Sequence, residues 1–345
     1  MTSTRNKMIF GAFIAFLIVA GILLPLVLQP SSEQREFQLE ILSEFETSGF
    51  TLGVVIESDI AYLTVSQDGA AGKLVIVDVS DPSDPVELGS FSGMSYPAQL
   101  DVSEGVVYVA DRFGSLFIIN ASDPSNPEQI GEYVGSGETY DVQVVGDIAY
   151  VADWTEGLQI LNVSDPSNPE LIEEYLISGA CTHLHVDDGI AYLIDHRNEN
   201  TGLKVVDVND PTNPRLIDSY MPDDELWNPN VFGNYIYCGN HEIGGGELII
   251  LDKSDPTNVS EIGQYNFGSV VNSIFVADNV AYAVGFEVGL MLIDVADPHN
   301  PIPITSLFGV GLGRDVIVVD DIVYLTTDDG YLIIIQQTEV FNSSH

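Results

Sequence analysis

The chain has 345 residues, 45% of them apolar and 18% charged, with 10 Lys and Arg against 52 Asp and Glu. That composition can bury a large core and is not that of a disordered chain. The formal charge of −42 repels phosphate backbones and excludes nucleic acid as a partner. It suits a salty exterior, where screening weakens self-repulsion, and it invites loose association with divalent cations.

Residues 1–28 open with Arg5 and Lys7, and Met8 to Leu28 follows as 21 residues without a charge. A membrane-spanning helix needs about 20 apolar residues. No small-residue cleavage pattern ends the run, which reads LVLQPSS, so an uncleaved anchor is expected and a cleaved signal is the alternative. The basic residues precede the apolar run, which places the N-terminus in the cytoplasm and the remainder on the extracytoplasmic side. Residues 29–38 read as a polar linker, 39–336 as the main domain and 337–345 as a tail.

The main domain rewrites one unit. In residues 147–175, DIAYVADWTEGLQILNVSDPSNPELIEEY, three short apolar strands are bounded by Gly, Pro, Asn and Asp clusters, the signal of an antiparallel meander. Tyr150 has counterparts at Tyr62, Tyr108, Tyr192, Tyr237, Tyr282 and Tyr324, and Leu158 at Leu74, Leu116, Leu203, Leu248, Leu290 and Leu332, spaced 42 to 46 residues apart. With an innermost strand such as TYDVQVV at 139–145, each unit has four strands. Seven such units predict an all-β fold, a seven-bladed β-propeller. Outer strands follow only six of the Leu strands. The seventh copy, marked by Leu42 and Phe45, stands at the front of the chain, and nothing follows the Leu strand at 331–336. The N-terminal strand is therefore expected to complete blade seven and close the ring.

The turns DPSDP (81–85), DPSNP (123–127, 165–169), DPTNP (210–214), DPTNV (255–259) and DPHNP (297–301) recur. Their Asp side chains suit bonds to turn N–H groups and their prolines fix φ. A calcium rosette is the competing reading, but each turn offers few oxygens to an ion that takes about six to eight.

LVIVDVSDPSDP at 74–85 resembles the LVIVD-repeat proteins, cell-surface β-propellers of bacteria and archaea, and YVAD at 108–111 and 150–153 is loosely similar to YVTN-type surface-layer propellers. The resemblance spans 39–336 and implies the fold without a defined reaction.

Function must therefore come from sites. The loops leading into the innermost strands and those after the Tyr strands should share one face. They bring Gly53, Gln99, Asp141, His183, Asn228, Ser273 and Asp315 together, preceded by Tyr140, Trp227 and Arg314. The second loop set adds Asp111-Arg112, Asp153-Trp154, Asp195-His196-Arg197, His241-Glu242 and Asp328-Asp329. Four of six histidines fall in blades four and five: His183, His185, His196 and His241. His183 and His185 are two apart on a strand and point one way, so with His241 and Glu242 they are candidate metal ligands. The same residues, with Arg112, Trp154, Arg197 and Trp227, make a candidate binding patch for a protein or small ligand. No G-x-S-x-G elbow or Gly-rich phosphate loop occurs, so no catalytic residue and no cofactor is expected. Cys181 and Cys238 are the only cysteines. Packing is expected for Cys238, and a disulfide between blades four and five is the alternative. Sequons stand at Asn120, Asn162, Asn258 and Asn342.

The sequence thus supports a membrane-anchored binding or scaffolding module at the cell surface. The rival readings are a metal-dependent hydrolase or lactonase at a histidine-rich channel mouth, and a purely structural surface-layer component.

Overall fold

The computed structural model describes residues 35–340, except 68–69, 178–179, 197–201, 223–224, 241–244 and 287–288, together with the backbone of 15–19 and 22–26. Seven four-stranded antiparallel sheets follow one another in chain order. Blade three shows the plan: Thr139–Val145, Ile148–Asp153, Gly157–Asn162 and Glu170–Tyr175 pair in sequence order. Consecutive innermost strands contact each other right round the ring, including Gly313–Val319 with Phe50–Glu57.

The period-two alternation of each strand turns apolar side chains toward both neighbouring blades. The hydrophobic core is therefore divided among the blade interfaces. Tyr150, Leu158 and Ile160 of blade three pack with Cys181, Leu184 and Leu193 of blade four, and Tyr192 and Leu203 of blade four with Ile236 and Cys238 of blade five. The seven repeating tyrosines are all buried.

Closure follows the expected route. Phe37–Glu46 pairs with Tyr331–Glu339 as the outer strand of blade seven, and Phe45 stands opposite Leu332 as Tyr175 stands opposite Leu158. The strand starts two residues earlier than expected because Phe37 is buried in the cluster joining blades six and seven. Glu339 faces Phe37 across the pair, so the chain joins the ring on the side of the DPSNP turns. Arg35 confirms this by donating to the carbonyl of Asp278, in the turn after an innermost strand.

The Asp-Pro turns are self-contained. In each of five, one Asp oxygen accepts both the N–H and the hydroxyl of the Ser or Thr two residues on, at 3.0–3.1 and 2.6–2.7 Å. These bonds hold the carboxylates of Asp81, Asp123, Asp165, Asp210 and Asp255 below their ordinary range. Four of the turns also abut the outer strand of the preceding blade, where the carbonyls of Pro82, Pro124, Pro166 and Pro298 meet Ser43, Gly89, Gly131 and Gly263. A Cβ on Gly131 would lie 2.0 Å from the Pro166 carbonyl oxygen, so a glycine is required there. Asn120 and Asn162 accept the Ser122 and Ser164 N–H groups, a turn role for both sequons.

Two expectations are corrected. Residues 15–19 and 22–26 form an antiparallel strand pair where a spanning helix was expected, and among the described residues no helix is long and apolar enough to cross a membrane. The run is rich in Ile, Val, Phe and Leu, which pair readily as strands; a bilayer is what obliges a single apolar segment to be helical. Cys181 and Cys238 are both free and buried. They belong to different blade interfaces, which precludes the disulfide. Burial raises both thiols well above their ordinary range.

Candidate functional site

The innermost strand of each blade has one edge without a strand partner, and its buried N–H groups need acceptors. Among the described residues, polar side chains of the preceding blade supply them at four of the seven seams. Asp101 accepts from Val144 N (2.7 Å), Asp141 from Leu184 N (3.0 Å), Gln143 from Val186 N (2.6 Å), Asn230 from Val276 N (3.2 Å) and Asp315 from Val54 N (3.1 Å). These bonds stitch the blades around a central channel of about 410 Å³. Burial raises the Asp141 carboxyl to about 7, with Asp315 and Asp101 adding repulsion, and raises Asp315 to about 6. Burial lowers His185 to about 4, so its ring is neutral across the physiological range.

The seam between blades four and five is built differently. Where blade three offers Asp141 to Leu184 N, blade four offers His183 and blade five answers with Pro229, which has no N–H. The preceding Asn228 takes a left-handed φ of 42°, tolerable for Asn. The stitching carboxylate and the N–H it would serve are absent together, and His183 is left to line the mouth.

At that mouth two aromatic groups converge. On one side, the Arg112 guanidinium lies over Tyr96 (5.0 Å) and Tyr140 (4.5 Å), and Tyr140 continues to Trp154 (5.6 Å between ring centroids). On the other, Trp227 packs between His183 (5.3 Å) and His196 (4.6 Å), with Glu225 3.8 Å from the His196 ring. Arg112, Tyr140, His183 and Trp227 meet in one cup of about 270 Å³ with Gln99 and Arg314. A second hollow of about 540 Å³ opens beside it, lined by Tyr96, Arg112, Phe113 and Tyr140. Arg314 is paired in two places with Asp328 and stands over Phe286 (5.6 Å).

The expected face thus exists, and Arg112, Trp154, His183, His196, Trp227 and Arg314 all lie on it. Asp141, Asp315 and His185 lie deeper, in the channel wall. Arg197, His241 and Glu242 fall outside the described residues. His183 lines the cup and His185 the channel; among the described residues no three His, Cys, Asp or Glu side chains form a metal-holding group. The aspartates after the Tyr strands turn inward. Asp111 accepts the N–H groups of Ser95, Tyr96 and Phe113, and Asp153 those of Thr155 and Glu156. They fold the loops that carry Arg112 and Trp154.

Sequence reasoning missed three features. Asp101 and Gln143 repeat the channel-facing position two residues after Gln99 and Asp141, a period-two signal that was legible. Tyr96, beneath Arg112, gave no signal because it sits outside the repeating strands. An apolar crown also surrounds the mouth. The five most exposed large apolar side chains among the described residues, Phe113, Val134, Leu176, Met221 and Phe308, all stand on mouth-side loops and strand ends.

Comparison with solved structures finds the same architecture in distant sequences. A computationally designed protein, Ika8, matches at a TM-score of 0.61 and 10% identity, over 84% of this chain and 97% of that one. Sqt1 of Saccharomyces cerevisiae matches at 0.64 and 9% identity, over 88% and 99%. These likenesses show the fold alone. Comparison with curated proteins finds no match. The family model described as LVIVD repeat matches six times, at residues 52–92, 96–134, 136–177, 179–222, 227–267 and 268–307. Blade seven completes the ring structurally beyond those matches. On six matched repeats and a closed seven-bladed ring, the chain belongs to the LVIVD repeat family.

Proposed function

We propose that this protein is a binding module held at a membrane, and that it engages a protein partner through the channel mouth. The observation that carries the reading is the coincidence, on one face, of the aromatic and arginine groups with the apolar crown. Exposed aromatics and Arg dominate contact energies, and concentrated exposed apolar area marks interaction surfaces. The turn face is closed by hydrogen bonds within its own loops. The charge-free run at residues 8–28 supports attachment to the membrane, with the propeller outside the cytoplasm. Because the chain joins the ring on the turn side, a linker of eight residues, 29–36, at most about 29 Å long, turns the mouth outward. The acidic surface keeps the exposed domain soluble and monodisperse.

A random-peptide display selection against the full chain tests this. Enriched peptides should lose binding on Trp227→Ala or Phe113→Ser and keep it on Leu216→Ser, at the turn end of an outer strand. Peptides that respond only to Leu216→Ser would overturn the assignment.

A further inference from the structure

We infer that the mouth is a carboxylate receptor: Arg112 takes an acidic side chain from a bound polypeptide whose flanking apolar residues rest on the crown. This rests on the binding reading above and names what the mouth selects. Arg112 is held in place without being neutralised. Its guanidinium is packed between Tyr96 and Tyr140, its Nε is buried without a hydrogen-bond partner, and among the described residues it joins no ion pair. Arg35, Lys204, Arg215, Lys253 and Arg314 each stand against a carboxylate. Lys73, the other described basic residue outside an ion pair, lines neither the cup nor the adjoining hollow.

In a chain with 52 acidic residues, local geometry must keep carboxylates away from such a cation. Asp111, its neighbour in sequence, is committed to three backbone N–H groups. Glu138, which lines the adjoining hollow, takes the Tyr140 hydroxyl at 3.3 Å. The fork of a guanidinium matches a carboxylate in two parallel hydrogen bonds, and stacking fixes its plane in advance.

The neighbourhood sets the ligand's charge. Arg314 is already paired with Asp328, so among the described residues the cup offers one positive charge outside an ion pair, inside a molecule of net charge −42. That suits a monoanion better than a phosphate dianion. Gln99, whose amide has no partner among the described residues, lines the same cup and supplies neutral donors. The crown sets the ligand's size. Phe113, Val134, Leu176, Met221 and Phe308 are 55–76% exposed; Phe113 lines the adjoining hollow, and the other four line neither that hollow nor the cup, so a small acid in the cup leaves them bare and a polypeptide segment can extend over them. The long-range field favours a partner that is otherwise neutral or basic.

Calorimetric titration of the full chain tests this with two blocked tripeptides, N-acetyl-Phe-Glu-Phe-amide and its Gln counterpart. The Glu peptide should bind at least about tenfold tighter, the usual worth of a charge-assisted bond over a neutral one. Arg112→Gln should erase that preference, Arg112→Lys should retain part of it, and Arg215→Gln on the turn side should leave it unchanged. Melting curves on each variant keep loss of fold separate from loss of binding. Equal binding of the two peptides, a preference that survives Arg112→Gln, or no heat from either peptide overturns the inference. If both peptides bind equally and both are lost on Trp227→Ala, the mouth remains the binding face and only the carboxylate assignment falls. N-acetylglutamate amide binding as tightly as the Glu peptide would remove the polypeptide.

Discussion

Removing the closing strand is the most informative perturbation of the fold. A chain beginning at residue 47 is compared with one beginning at residue 35. The lost strand, Phe37–Glu46, pairs along Tyr331–Glu339 through nine opposed residues. Its backbone hydrogen bonds contribute about 1 kcal/mol each, and ordering its residues costs a similar amount, so the backbone nearly cancels. Side-chain burial decides the sign. Phe37, buried to 8% exposure, is worth about 2–3 kcal/mol, and the half-buried Leu39 and Phe45 about 1 kcal/mol each. The Arg35–Glu339 pair, at 2.8 Å and partly exposed, adds at most about 1 kcal/mol. The sum, about 5 kcal/mol, corresponds to a melting point lower by roughly 10 °C in a domain of this size. It also exposes Tyr331–Glu339 as an edge that invites association. Scanning calorimetry of the two chains reads both effects. Phe37→Ala alone should account for about 3 kcal/mol. Coincident melting curves would refute the closure argument.

Gly131→Ala should destabilise by about 1–3 kcal/mol in chemical denaturation, since its Cβ would meet the Pro166 carbonyl at 2.0 Å; no change would show that the turn yields freely. The channel carboxylates predict a pH dependence. The folded-state values of Asp141 and Asp315 lie above the ordinary 3.8, at about 7 and about 6. Their contribution is therefore fully present below about pH 4 and is lost as pH rises toward 7. Melting temperature should fall from pH 5 to pH 8, and less steeply in Asp141→Asn; identical slopes would contradict this. At the seam between blades four and five, His183→Asp places a carboxylate opposite Pro229 and should destabilise by about 1–3 kcal/mol. Adding Pro229→Val supplies the N–H and should recover most of the loss; a simple sum of two losses would sink the stitching account. For orientation, cysteines placed singly at Ser125 and Glu156 in intact cells should react with a bulky impermeant thiol reagent faster at 156 than at 125, and the reverse would overturn the outward-facing mouth.

The ring and its closure were legible because both follow from side-chain period and spacing. Tyr150 and its counterparts mark one strand, Leu158 and its counterparts the next, and the Leu42/Phe45 pair at the front matched the outer strand missing at the end. The mouth was legible as a face, because strand direction assigns loops to sides. Its chemistry was less so. His183 and His185 share a strand face, but consecutive inward positions on a channel wall belong to different rings, which separated the cup residue from the channel residue. Asp111 and Asp153 read as members of the varied face, because hydrogen bonding to loop N–H groups leaves no trace in composition. The crown was missed although Val134, Leu176, Met221 and Phe308 each directly follow the outer-strand position of Tyr133, Tyr175, Tyr220 and Leu307, because a residue just past a strand end has no alternation to show which way it faces. The interruption at blade five was written plainly as Trp-Asn-Pro-Asn at 227–230, yet its meaning depended on the stitching bonds around it.

The central claim is that the mouth receives a partner's acidic segment. Trp154 and Trp227 are the only tryptophans in the chain, and both stand on that face. A nitrogen–proton correlation spectrum of the labelled protein therefore carries two indole signals, assigned by Trp154→Phe and Trp227→Phe. Titrating N-acetyl-Phe-Glu-Phe-amide should move the Trp227 signal saturably, with a smaller shift at Trp154 transmitted through Tyr140 and Arg112. Both signals staying fixed while the peptide binds would place its site elsewhere and contradict the account.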